Sequence, residues 1–232
     1  VNMKIDKFMS LFNFSTKSIV YQWACFSFIF LAFQNLNAQE GANLSDAQGK
    51  RHGEWKVNFP GTNQTKFEGT FNHGKETGKF KFYKKGYENY PSAIMNFETG
   101  SDSIAVKYYT QKGEVISEGM MLNKKRAGKW TTYHHKSNQI MMTEYYKNDI
   151  LNGLQTTYFK NGKVGEKTNY KNGIKDGSSQ IYADNGQLLQ DLHYKNGELD
   201  GHQTYYKPDG SLVAEGDYKN GRRIEDQNKL KN

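Results

Sequence analysis

The chain repeats itself in the blocks Tyr146-Lys147-Asn148-Asp149, Tyr170-Lys171-Asn172-Gly173, Tyr194-Lys195-Asn196-Gly197 and Tyr218-Lys219-Asn220-Gly221, spaced 24 residues apart. Upstream, the position that heads each block continues as Leu122, Phe97 and Phe71, at steps of 24, 25 and 26. A second marker follows at the same period: Gly53, Gly78, Ser103, Gly128, Gly153, Gly177 and Gly201. Five residues beyond it sits tyrosine in six of seven copies: Tyr83, Tyr108, Tyr133, Tyr158, Tyr182 and Tyr206, with Asn58 in the first. Two columns sharing one period make residues 46–224 a tandem array of seven short units, about 24–25 residues each.

Each unit reads as a hairpin. After the marker, polar and apolar residues alternate, as in Glu54-Trp55-Lys56-Val57-Asn58-Phe59 and Lys79-Phe80-Lys81-Phe82. Period two is the signature of a strand with one buried face. The dipeptides Asn161-Gly162, Asn185-Gly186 and Asp209-Gly210 predict primed hairpin turns. Return strands run from Val164, Leu188 and Leu212 to the block tyrosines, and the block Asn-Gly turns into the next copy. Residues 85–103 break the pattern with Tyr87, Tyr90 and Pro91, which predicts a longer loop. After residue 40 no stretch has useful helical periodicity, so the predicted fold is all-β: an elongated single-sheet hairpin array, a solenoid or meander. Fourteen strands at the usual spacing would extend roughly 60 Å.

One column changes along the array. Two residues after the marker stand Trp55, Phe80, Ala105, Trp130, Gln155, Ser179 and Gln203. The tyrosine column persists, so it is assigned to packing between hairpins. The fading column predicts a partner-facing stripe at Trp55, Phe80 and Trp130.

The mean hydropathy of −0.90 borders on disordered composition, but 14% of residues are aromatic and fall in register. A net charge of +8 is spread thinly, with no run of five Lys or Arg, which argues against a nucleic-acid footprint. Cys25 is the single cysteine, so no intrachain disulfide forms.

Lys4, Lys7 and Lys17 precede an uncharged stretch whose apolar part runs from Ile19 to Phe33, and Leu36-Asn37-Ala38 comes after it. Basic, then apolar, then small is the layout of a secretory signal. As a helix the apolar part would be about 22 Å long, short of the roughly 30 Å membrane core. Residues 1–38 are thus expected to be a signal helix, residues 39–45 a polar leader and residues 225–232 a charged tail. The expected destination is the periplasm, the cell surface or the medium.

The copies resemble MORN repeats, and more closely the bacterial variant of that repeat, known from antitoxin-like labelled proteins. Gly128-Lys129-Trp130-Thr131-Thr132-Tyr133 and Tyr170-Lys171-Asn172-Gly173 carry the resemblance, which spans about residues 46–224. It implies hairpin units; the eukaryotic relatives imply lipid contact or scaffolding.

No nucleophile, phosphate-loop or metal-ligand pattern stands out. His52, His73, His134, His135, His193 and His202 lack metal spacing, and the glycines are explained by turns. The expectation is a protein without catalytic residues, cofactor or metal: an exported scaffold or adaptor for an unidentified protein. A glycan-binding or peripheral lipid-binding module is the alternative.

Overall fold

The structure is a computed structural model that describes residues 42–224 apart from Glu88. The expected signal helix at 1–38 and the charged tail at 225–232 lie outside the described residues. Every regular element among the described residues is a strand.

β1 (Gly53–Asn58) pairs with β2 (Thr65–Asn72), β2 with β3 (Lys75–Phe82), β3 with β4 (Ala93–Phe97) and β4 with β5 (Ser103–Tyr109). The ladder continues through β6 (Val115–Leu122), β7 (Lys125–Tyr133) and β8 (Ile140–Lys147). β8 pairs with both β9 (Ile150–Leu151) and β10 (Gly153–Tyr158). Next come β11 (Val164–Lys171), β12 (Ile174–Tyr182) and β13 (Leu188–Lys195). β13 carries β14 (Glu198–Leu199) and β15 (Gly201–Tyr206); β15 then pairs with β16 (Leu212–Lys219), and β16 with β17 (Arg222–Arg223). Every pairing is antiparallel and joins consecutive strands, except that β8–β10 and β13–β15 step over the two-residue β9 and β14. The result is one open meander of hairpins.

The primed turns sit at the block ends. Asn172 and Gly173 have φ of 51° and 83°, and Asn196 with Gly197, Asn220 with Gly221 and Asn148 with Asp149 repeat the geometry. Two consecutive positive φ values define the tight turn whose twist matches that of the flanking strands. The expectation of primed turns at Asn161-Gly162, Asn185-Gly186 and Asp209-Gly210 is corrected, because only the glycines there have positive φ. Gly162 N–H donates to Phe159 C=O at 2.9 Å, and Phe159 N–H to Lys163 C=O at 2.8 Å. A glycine bulge closes those hairpins instead.

The third unit is shifted by one residue from the sequence alignment. Ile104 pairs with Met121 just as Gly53 pairs with Phe71 and Gly78 with Phe97, and Met121 pairs on with Arg126 as Phe71 does with Glu76. Tyr109 pairs with Val115 past a bulge, as Tyr133 pairs with Ile140. The structural equivalents are therefore Ile104, Val106, Tyr109 and Met121, not Ser103, Ala105, Tyr108 and Leu122. A β-branched isoleucine in the marker position resists the positive φ that Gly78 and Gly128 adopt there. The β4–β5 hairpin accordingly pairs without a register shift. The loop expected over residues 85–103 is shorter, running from the end of β3 to Ala93, and its Tyr90 ring lies against Gly113.

The interior is a single row of side chains running across the strands. Trp55 pairs with Gly69, and the Phe80 ring lies directly over Gly69. Phe80 pairs with Met95, Met95 with Val106, Val106 with Gly119, and Gly119 with Trp130. The Trp130 ring covers Gly119 so closely that a Cβ there would overlap it. Beyond Trp130 the row turns polar. Gln155 Nε2 donates to Glu144 Oε1 at 3.0 Å, Gln155 pairs with Thr168, and the Thr168 and Ser179 hydroxyls share a hydrogen bond of 2.7 Å. Gln203 closes the row by bridging the backbone N–H and C=O of His193. Buried polar groups are tolerated because each finds a partner.

Candidate interaction surface

The expected stripe of Trp55, Phe80 and Trp130 does line up, but on the inside. Phe80 is 1% exposed and Trp130 5%, while Trp55 is half-buried with its indole N–H donated to Leu44 C=O at 2.8 Å. Trp130 also donates its indole N–H, to Met120 C=O at 3.0 Å. The stripe is corrected to core. Its aromatic-to-polar fade is a change in how the interior is filled, since Ser179 and Gln203 in the same column are fully buried.

The tyrosine column lies on the opposite face, three residues along an extended strand from the core column. Tyr83, Tyr109, Tyr133, Tyr158, Tyr182 and Tyr206 are all half-buried rather than core. They line a polar lattice. Lys81 meets Glu68 at 2.7 Å, and the Tyr83 hydroxyl donates to the same carboxylate at 3.1 Å. Two units on, Lys107 meets Glu118 at 2.6 Å and the Tyr133 hydroxyl also donates to Glu118. Sequence alternation placed these residues on strands, but their pairing depends on bulges that only the register reveals.

The electrostatics arise from these contacts. The Lys81 ammonium holds the Glu68 carboxyl below its usual range, and Lys107 does the same for Glu118. The hydrogen bond to Glu118, aided by burial, pushes the Tyr133 phenol up to about 12. Each shift has its cause in the neighbouring strand.

A separate margin of the sheet carries cations over rings: the Arg126 guanidinium lies 3.8 Å from the Tyr146 ring centre, and the Lys175 ammonium 5.1 Å from that of Tyr194. Where the third unit lacks its primed turn, an open hollow of about 510 Å³ forms, with Phe97 and Ile104 below and Lys75, Lys124, Glu98 and Asp102 on its rim. Among the described residues no His, Cys, Asp or Glu group is arranged to hold a metal ion, and no helix is long and apolar enough to cross a membrane.

Units repeating at 24 residues, each opening from a primed turn and ending in a block tyrosine, can be compared with known repeats directly. Residues 151–172, 175–196 and 199–220 match the family model of the MORN repeat variant. Those three units are MORN-variant repeats. Such repeats are in general modules for contact with proteins or membranes. The MORN match falls on the polar-cored half, and the upstream units, outside the matched residues, continue the same antiparallel hairpin pairing apart from the slip in the third unit. No curated protein matches the sequence. Among solved structures, a chain of a crystal structure of the GtfA/B complex is 15% identical over 39% of this chain, with a TM-score of 0.29. The match spans 18% of that chain, and a likeness this distant carries no argument.

Proposed function

We propose that this array is a non-enzymatic scaffold or adaptor that binds another protein across its tyrosine face, in the bacterial envelope after export. The observation that carries the reading is the exposed polar lattice of that face. Lys56, Glu68 and Lys81 are successive cross-strand neighbours, as are Lys107 and Glu118. Half-buried tyrosines flank both sets. Tyrosine rings beside fixed charges offer contact area at little entropic cost and electrostatic register for a partner. The perturbed groups on this face, Glu68, Glu118 and Tyr133, answer to ion pairing and packing within the lattice, which needs no reaction to explain it. Export is supported by the Ile19–Phe33 apolar stretch with its flanking residues.

Affinity purification of the full chain from envelope fractions tests the reading. A protein should co-elute in fixed proportion and be lost with Lys81→Glu and Lys107→Glu. If nothing co-elutes while anionic vesicles bind in a salt-sensitive way, or sugars shift tryptophan fluorescence, the scaffold reading gives way to a lipid or glycan module.

A further inference from the structure

The two ends of the sheet are finished differently. At the β1 end, residues 43–52 fold back over the edge: Asn43 N–H donates to Glu54 C=O and Asn43 Oδ1 accepts from Lys56 N–H, both at 2.8 Å. Asp46 locks that cap, accepting from Lys50 N–H at 2.8 Å and meeting His73 at 2.7 Å. At the other end β16 is paired on one side with β15, and β17 takes only Tyr218 and Lys219 on the other. Ile224 N–H adds one bond to Asp217 C=O at 2.7 Å. Among the described residues, the outer edge of 212–216 meets no strand.

Side-chain burial says the same. Leu212 is 52% and Val213 58% exposed, whereas the equivalent Leu188 and Leu189 one unit earlier are half-buried under the next hairpin. Because the Asp217 carbonyl points outward, alternation points the backbone groups of Glu215 and Val213 outward too. An incoming antiparallel strand would gain about four backbone hydrogen bonds at those two residues. Exposed Glu215 and Asp217 share the face of Val213 along that edge, with His202 on β15 beside them at 3.6 and 3.0 Å.

We propose that the outer edge of β16 accepts an extended segment of a partner protein, carrying an apolar residue against Val213 and Lys or Arg against Glu215 and Asp217. This rests on the interaction reading above but uses the open backbone edge of β16, not the broad tyrosine face. Strand addition supplies affinity through the backbone, and the acidic rim selects among strands by charge.

The full chain is titrated, by fluorescence anisotropy, with a short labelled peptide alternating valine and lysine. A valine–glutamate counterpart and a backbone N-methylated version serve as comparators. The lysine peptide should bind at least about tenfold tighter than the glutamate peptide, N-methylation should abolish binding, and Glu215→Lys should reverse the charge preference. Circular dichroism checks that the variant stays folded. Retained binding after N-methylation, or an unchanged preference in Glu215→Lys, overturns the proposal. So does binding that appears only once 225–232 are removed, which makes the tail the occupant. Self-association abolished by Val213→Lys overturns it as well, by making a second copy the occupant. Failure here with a protein still co-eluting from envelope fractions leaves the tyrosine-face reading standing.

Discussion

Gly119 and Trp130 form a pair whose energetics should be sharply non-additive. The indole lies flat over Gly119, its N–H is satisfied by Met120 C=O, and the Tyr108 ring stacks beside it at 6.1 Å. Trp130→Ala removes a buried ring from a one-layer interior and should cost about 3–5 kcal/mol. Gly119→Ala leaves the ring in place but drives a methyl into it, an overpacking loss of about 1–3 kcal/mol. With the ring already gone, the methyl has room. Alanine also loses less conformational freedom than glycine in a strand, so the second change should then be neutral or favourable by about 0.5–1 kcal/mol. The double-mutant cycle should show a coupling of about 2 kcal/mol in that direction. Urea unfolding monitored by far-ultraviolet circular dichroism reads all four proteins. Losses that add within about 0.5 kcal/mol would refute the ring-over-glycine account of the core.

The same geometry sets four further outcomes. Tyr158→Ala removes a half-buried ring and should cost clearly less than Trp130→Ala in parallel thermal melts; equal losses would mean that the tyrosine column is core after all. Asn172, at φ 51°, should lose about 1–2 kcal/mol on replacement by alanine, while Asn161 loses less, since only the former occupies the left-handed region. Spectrophotometric titration should place one phenol near 12, and Glu118→Gln should bring it down. A raised phenol stabilises the fold below the ordinary tyrosine range, around 10, and that stability drains away as pH climbs through the folded value. The His202 imidazole, held above its usual range first by Asp217, should titrate lower by NMR in Asp217→Asn. Its contribution to the fold is present at low pH and is lost as pH rises through its folded value.

Much of this fold is written plainly in the chain. The 24-residue blocks, the alternation in Lys79-Phe80-Lys81-Phe82 and the Asn-Gly pairs disclose a hairpin array because turn chemistry and strand period are local properties. Anything set by register resists reading. The slip at Ile104 is invisible because Ser103 and Tyr108 keep the spacing that Ile104 and Tyr109 hold in space. The inward aim of Trp130 is equally hidden. A column that fades from tryptophan to glutamine looks like a surface losing its partner, unless Thr168, Ser179 and Glu144 are known to lie across the strands and satisfy the polar replacements. The open edge of β16 is hidden for a related reason: residue spacing does not report whether a strand finds a neighbour in space.

The account holds that each unit touches only its neighbours through one shared row of side chains, so units can be removed whole but not in part. Deleting residues 173–196 joins Asn172 to Gly197, rebuilds the primed turn and sets Thr168 against Gln203 in the row. Deleting half of that span places a return strand with its faces unmatched. Hydrogen exchange on both proteins is the direct test. The whole-unit deletion should keep protected amides throughout the remaining strands, and the half-unit deletion should lose protection around the cut. Equal loss of protection in both would contradict the array.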